Sequence, residues 1–447
     1  MDGDVQFTQV GSARIGYAIH GHSDDLDIVY APGVASHLDL TIEQPRYRQG
    51  IEALMRLGRV IRFDRRGTGV SDPAPADAEE GWELWVDDLG AVLDAAGSRR
   101  VVIIATNDAG APAILYSATH PQRVAALVLF NSSARFTAAE DYPAGHPPEV
   151  ADMVLHALTD VWGTERSAEL LVPSLAADEP FRRWYARFQR GACTPGEMAA
   201  NMSRILQMDA RAVLPQVQCP TLVIHREGYT TLPEAQSRAL ADGIPGAEFL
   251  SVPGADAMLY TQGTADIVAE IGEFIGRAPT ATPDDQVFRT VLFTDIVSST
   301  ERAVEMGDSD WGRLIQAHDD VAHHEVAKAG GRVIKGTGDG TLAIFEAPTR
   351  ALRCVLDIKA RAADLGIGVR GGLHAGPISL RPDGDISGLA VNAAARVLGL
   401  GKSDEVLVSD AVADLVTGDE FQFSPWGERE LKGLPGTWKI LELSRAA

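Results

Sequence analysis

The sequence predicts an α/β domain followed by a smaller α+β domain, and three observations carry that reading. Through about residue 277, short apolar runs alternate with helical periodicity, the pattern of a parallel sheet covered by helices on both faces. Residues 277–286 then read RAPTATPDDQ, with two prolines and no apolar periodicity, which is linker chemistry. Beyond them the order changes to β-α-β-β-α-β, a ferredoxin-like pattern. The chain has 447 residues, too many for one ordinary core, so two domains are expected in any case. The boundaries expected are 1–277, a linker at 278–287 and 288–447.

In the first domain, DIVYAPG, VIRFDRRG, VVIIATND, AALVLFNSS, PTLVIHRE and EFLSVPG read as strands. WELWVDDLGAVLDAAG and APAILYSATHP between them read as helices. From about 149 to 208 the alternation stops. Helical periodicity with Trp162, Trp184 and Tyr185 predicts a helical cap over one sheet edge. In the second domain VFRTVLFTDIV is a strand, and DSDWGRLIQAHDDVAHHEVAKAGG is a helix with a Gly-Gly stop. RVIKGTGDGTLAIFE is a hairpin turning at Gly338-Asp339-Gly340. PTRALRCVLDIKARAADLG is a helix and IGVRGGLHAGPISL a strand.

Hydrophobic residues make up 45% and charged residues 23%, a globular composition. The net charge of −22 disfavours nucleic acid and anionic lipid as partners, without excluding a phosphate-bearing substrate held by local cations and metal. Cys193, Cys219 and Cys354 have no CxxC spacing, so neither a zinc site nor a disulfide framework is expected. The opening MDGDVQFTQVGSARIGYAIHG is acidic and strand-like rather than a leader, and no apolar run has membrane-spanning length. A cytoplasmic location is the expectation.

FDRRGTGVSD, VVIIATNDAGAPAILYSATHPQRV, PTLVIHRE and IPGAEFLSVPGADAMLY occur in that order over residues 1–277. Their order and spacing resemble the α/β-hydrolase family. Active members need a nucleophile on a strained elbow between small residues. Here the elbow reads Ala105-Thr106-Asn107-Asp108-Ala109. The resemblance puts Asn107 at the nucleophile, Tyr229 at the acid and Ala257 at the histidine position, so all three triad members are missing. The rival nucleophile is Asp108, as in the dehalogenase and epoxide hydrolase branches, but Ala257 leaves no histidine to activate water. Alternatively Asn107 and Asp108 only satisfy backbone groups in a tight turn. The function left to this domain is binding a small-molecule or lipid-like ligand, or supporting a dimer.

In the second domain, Asp295 ends an apolar run in FTDIVSST and Asp339 sits in KGTGDG. Alone, these would read as a helix cap and an ordinary turn. Two carboxylates suit hard Mg²⁺ or Mn²⁺, and the backbone from Ile296 to Ser299 offers a carbonyl to metal and amides to phosphate. Asn392 and Arg396 in GDISGLAVNAAAR are spaced to share a helix face. With ERELKGLPG, these motifs resemble class III nucleotide cyclases across 288–447. The whole chain thus resembles a bacterial, mycobacterial-type fusion of such a cyclase to a hydrolase-like domain.

That resemblance implies two divalent ions on Asp295, Asp339 and the Ile296 carbonyl. It makes Arg396 the stabiliser of α-phosphate charge and Asn392 the ribose-positioning residue, with Lys432 on the phosphates. Lys335 and Asp385 fall at the base-reading positions. Lysine only donates and carboxylate only accepts, which complements adenine N1 and its amino group. The expected activity is adenylyl cyclase, a lyase making 3′,5′-cyclic AMP and pyrophosphate from ATP. In the family, metal and base sites come from opposite subunits, so a homodimer is implied. Two readings compete: an α/β-hydrolase-type esterase with a vestigial cyclase domain, and a ligand-binding protein in which both domains are inert.

Overall fold

The structure is a computed structural model. It describes residues 3–23, 26–74, 81–277, 286–381, 383–402, 404–416 and 420–446. The chain divides into two compact units, residues 1–284 and 285–447.

The first unit is built on eight strands. They are β1 (Gln6–Val10), β2 (Ala13–His20), β3 (Asp27–Ala31), β4 (Arg59–Phe63), β5 (Val101–Thr106), β6 (Val124–Phe130), β7 (Thr221–Arg226) and β8 (Glu248–Val252). Their order in the sheet is β1-β2-β4-β3-β5-β6-β7-β8. The β3, β4, β5, β6, β7 and β8 pairings are parallel, and β1 and β2 add an antiparallel edge. Every residue of β5 and β7 is buried. A strand covered on both faces reads as a continuous apolar run rather than an alternating one. One core cluster packs Ile28, Val60, Val102, Val128 and Ile224 against Tyr47, Tyr260 and Phe274.

Between β6 and β7 lie the helices Pro148–Val161, Ser167–Leu171, Glu179–Ala192 and Pro195–Leu206, the helical insertion expected near 149–208. Thr194 and Glu197 form a reciprocal capping box that fixes the start of the last one. This insertion has its own core of Phe181, Tyr185 and Phe188 with Val172 and Leu175.

The first strand of the second unit starts at Gln286, inside the stretch expected to be linker. Residues 278–285 of that stretch lie outside the described residues. Its strands are β9 (Gln286–Ile296), β10 (Arg332–Gly336), β11 (Thr341–Phe345), β12 (Val369–Leu380), β13 (Ile386–Ser387), β14 (Val406–Ser409), β15 (Phe421–Glu430) and β16 (Thr437–Arg445). Sheet order is β10-β11-β9-β12-β14-β16-β15, with β13 beside β12. Helices Ser299–Met306 and Asp308–Lys328 follow β9, and Pro348–Asp364 follows β11, giving the ferredoxin-like order. The anticipated Gly-Gly stop ends the second helix. Gly330, at φ +68°, takes the left-handed conformation that closes it.

Candidate active sites in the two domains

In the first unit, β5 runs into a short turn, Asn107–Ala109, and then the helix Gly110–Thr119. Asn107 has φ +53°, a left-handed conformation that asparagine tolerates better than most residues. Ala105 and Ala109 on either side are buried; larger side chains would crowd the turn. Asn107 Nδ2 donates to the Ala257 carbonyl at 3.3 Å. Tyr229 and Ala257 pack together with Leu232. The fold therefore brings Asn107, Tyr229 and Ala257 to one place from positions 150 residues apart. They line a cavity of about 150 Å³ under the helical insertion. Burial pushes the Tyr229 phenol well above its ordinary pKa, so it stays protonated and cannot orient a histidine as a carboxylate would.

Asp108 is held by a hydrogen bond on one carboxylate oxygen and an ion pair on the other. The Val34 amide donates to its Oδ1 at 3.0 Å. Arg65 Nη2 lies 2.5 Å from its Oδ2, close enough for an ion pair though out of line for a hydrogen bond. The Arg65 guanidinium is buried and stacks on Trp85 at 3.8 Å from the ring centroid. Gly33 makes the approach possible, because a Cβ there would sit 2.8 Å from Asp108 Oδ1. In this fold an amide from the loop after the third strand is one of the two that stabilise the oxyanion. Here that amide is spent on an aspartate.

In the second unit, Asp295 lies near the end of β9 and Asp339 in the four-residue turn between β10 and β11. The turn is held against the strand by a hydrogen bond from the Ile296 amide to the Asp339 carbonyl, at 3.0 Å. Gly340 allows this: a Cβ there would lie 1.9 Å from the Thr294 carbonyl oxygen. Ser299 donates to Asp339, and Arg370, opposite Asp295 on β12, donates Nε to Asp295 Oδ2 at 2.9 Å. Arg370 also reaches the Gly401 carbonyl at 3.2 Å. Burial raises the Asp295 pKa, Arg370 opposes that, and the Asp339 carboxylate adds to it. Two crowded carboxylates with oxygen donors only are a donor set for a hard divalent cation. Among the described residues no group of three or more His, Cys, Asp or Glu side chains could hold a metal, so further ligands would be backbone, water or substrate oxygens.

Lys335 and Asp385 form a two-pronged pair, Nζ to Oδ1 at 2.9 Å and to Oδ2 at 2.8 Å. The lysine, with the Ile386 amide, holds the Asp385 carboxyl below its usual pKa. Asn392 and Arg396 are both exposed on the helix Leu389–Leu400, and Lys432 is exposed in the turn between β15 and β16. No hydrogen bond or ion pair among the described residues joins the Asp295–Asp339 pair to the Lys335–Asp385 pair. Sequence reasoning missed Arg370, Arg65 and Val34. Arg370 was findable, since an arginine beside an acidic strand end in a paired strand is a natural counter-ion.

Residues 28–264 match the family model of the alpha/beta hydrolase fold, more than half the chain. Residues 281–443 match the adenylate and guanylate cyclase catalytic domain. The chain belongs to the alpha/beta hydrolase family and carries a cyclase catalytic domain behind it. The hydrolase domain is 27% identical over 270 residues to a putative carbamate hydrolase of Variovorax paradoxus, covering 57% of this chain and 96% of that protein. The cyclase domain is 30% identical over 188 residues to an adenylate cyclase of Streptomyces coelicolor, covering 37% of this chain and 49% of that protein. Among solved structures, the enol-lactonase of Burkholderia xenovorans superposes with a TM-score of 0.51 at 21% identity, over 61% of this chain and all of its own. That similarity speaks for the hydrolase fold alone. Among the described residues no helix is long and apolar enough to cross a membrane.

Proposed function

We propose that the chain is an adenylyl cyclase, converting ATP to 3′,5′-cyclic AMP and pyrophosphate at sites shared by two copies, with a hydrolase domain that binds rather than reacts. The observation that carries the reading is the meeting of Asp295 and Asp339 at the end of β9 within a cyclase catalytic domain. Two divalent ions held by these carboxylates and the Ile296 carbonyl would acidify the 3′-hydroxyl and neutralise the triphosphate. Arg370 and Ser299 hold the carboxylates in place.

Lys335 donates to adenine N1 and Asp385 accepts from its amino group. Their mutual ion pair is half-exposed and screened by water, so opening it for a base costs little. Arg396 supplies a planar, permanent cation for charge growing on the α-phosphate. Asn392 holds the ribose and Lys432 contacts the outer phosphates. In this reading each site takes Asp295 and Asp339 from one subunit and the remaining groups from the other, and the protein is cytoplasmic. The esterase alternative is disfavoured, because Ala257 supplies no base and Asp108 is already paired.

The test is pyrophosphate release from ATP with Mn²⁺ or Mg²⁺. Wild type should turn over, chelation should stop it, and Asp295→Ala and Arg396→Ala should each be inactive. Mixed, those two variants should regain activity through one intact hybrid site. Turnover by Asp295→Ala, or no recovery despite proven subunit exchange, overturns the assignment.

A further inference from the structure

The cavity of the hydrolase domain keeps its shape while its chemistry has been replaced, and the replacements point to one class of ligand. Its walls are largely apolar, with Leu158, Trp162, Phe188 and Met202 from the insertion facing Val34 and Phe136. Among the described residues no histidine, cysteine or lysine lines it. The lining arginine, Arg135, is paired with Asp209 at 2.8 Å. Where an active relative would present an open amide to an oxyanion, the Val34 amide is taken by Asp108. A carboxylate or other anion entering here would meet an occupied donor and a fixed negative charge, at a wall with no spare cation among the described residues.

Two buried oxygens on this wall have no hydrogen-bond donor among the described residues: Asn107 Oδ1, and Asp108 Oδ2, which has the Arg65 charge beside it. The orientation of Asn107 is set chemically: Nδ2 faces the Ala257 carbonyl, which only the amide nitrogen can satisfy, so the oxygen is the free end. A buried acceptor without a donor is costly, and a ligand that supplies one gains that energy back. A volume of about 150 Å³ matches cavities known to take a single benzene-sized molecule.

We propose that this cavity is a receptor site for a neutral, ring-sized apolar molecule with one hydrogen-bond donor, such as a phenol or an indole, and that it excludes carboxylates. Asn107 Oδ1 receives the donor, and the Asp108–Arg65 pair shuts the anion position. The proposal goes beyond the cyclase reading and does not depend on it, because its readout is binding alone.

The experiment titrates phenol, toluene and benzoate into the full chain at pH 7, followed by calorimetry and by Trp162 fluorescence. Phenol should bind at least tenfold more tightly than benzoate, and about tenfold more tightly than toluene. Asn107→Gly, which accepts the left-handed backbone and deletes the acceptor, should lose the preference for phenol over toluene. Leu158→Trp, which fills the cavity, should weaken phenol and toluene alike. The proposal is overturned by benzoate binding as well as phenol, by no binding of any probe up to its solubility, or by an unchanged phenol-to-toluene ratio in Asn107→Gly. The wild-type series decides the matter even if a variant fails to fold.

Discussion

Gly340→Ala is the most direct way to ask whether the two carboxylates must stand together. The new methyl would sit 1.9 Å from the Thr294 carbonyl oxygen and 3.0 Å from the Asp295 Cα. Carbon and carbonyl oxygen approach no closer than about 3.3 Å, so the turn has to retreat by about 1.4 Å. The obstacle is backbone of a strand paired on both sides, so no side-chain rotation relieves it. Asp339 moves with the turn. A misplacement of about 1 Å at a reacting centre costs on the order of a hundredfold in rate, or about 2.7 kcal/mol of barrier. The assay is initial-rate pyrophosphate release, with Gly338→Ala as the comparison. Gly338 sits at φ +103° with nothing near its missing Cβ, so its replacement adds backbone strain but no collision and should be milder. More than half of wild-type turnover in Gly340→Ala, or greater damage in Gly338→Ala, would refute the reasoning.

Other outcomes follow from the same geometry. Changing Lys335 to Glu together with Asp385 to Cys should raise the ratio of kcat/KM for GTP over ATP by roughly tenfold or more, since a site whose donors and acceptors match one base mismatches the other; an unchanged ratio in an active enzyme would mean that these residues do not read the base. Asn107→Ser alone should hydrolyse no p-nitrophenyl ester, because no base stands at Ala257; ester turnover by purified Asn107→Ser that is absent from Asn107→Ala would contradict the paired state of Asp108. The third outcome is a pH dependence of stability. Burial lowers the His374 pKa from 6.5 to about 4, so the unfolded chain takes up a proton below pH 6.5 that the folded chain refuses. Its stabilising contribution is full above 6.5 and is lost as pH falls towards 4, on the order of 3 kcal/mol in all. In urea unfolding, the stability of wild type relative to His374→Phe should therefore fall across that window, and parallel curves would deny the burial effect.

Much of this arrangement was legible before folding was considered. The parallel strands announced themselves because β5 and β7 are buried on both faces and must be apolar throughout. Asn107 could be located by counting back from His120-Pro121, since the strand–turn–helix unit is a local structure with fixed spacing. Asp339 was readable for the same reason, in a turn with glycine on each side. What escaped notice depends on distant pairing. Arg370 reaches Asp295 across 75 residues and Val34 reaches Asp108 across 74. Arg65 was one of two adjacent arginines, and nothing local says that one is buried on Trp85 against Asp108 while its neighbour Arg66 pairs with Asp88. The opening residues read as strand-like, but their place as the antiparallel edge was not legible, because β2 finds its partner β4 far along the chain.

The aspartate beside the elbow also bears on whether this domain could be returned to catalysis. A serine at 107 would inherit a backbone already bent for a nucleophile, so that step is the easy one. A histidine at 257 and an acid at 229 would rebuild the relay, yet both could be installed without result while Asp108 holds the Val34 amide. Removing Asp108 first leaves Arg65 buried without its counter-charge, a loss on the order of 3–5 kcal/mol for a desolvated pair broken on one side. Any path back must therefore change 65 and 108 together before the other three substitutions gain anything. The coupling works as a ratchet: one ion pair keeps the site from drifting back to hydrolysis, however small the individual steps.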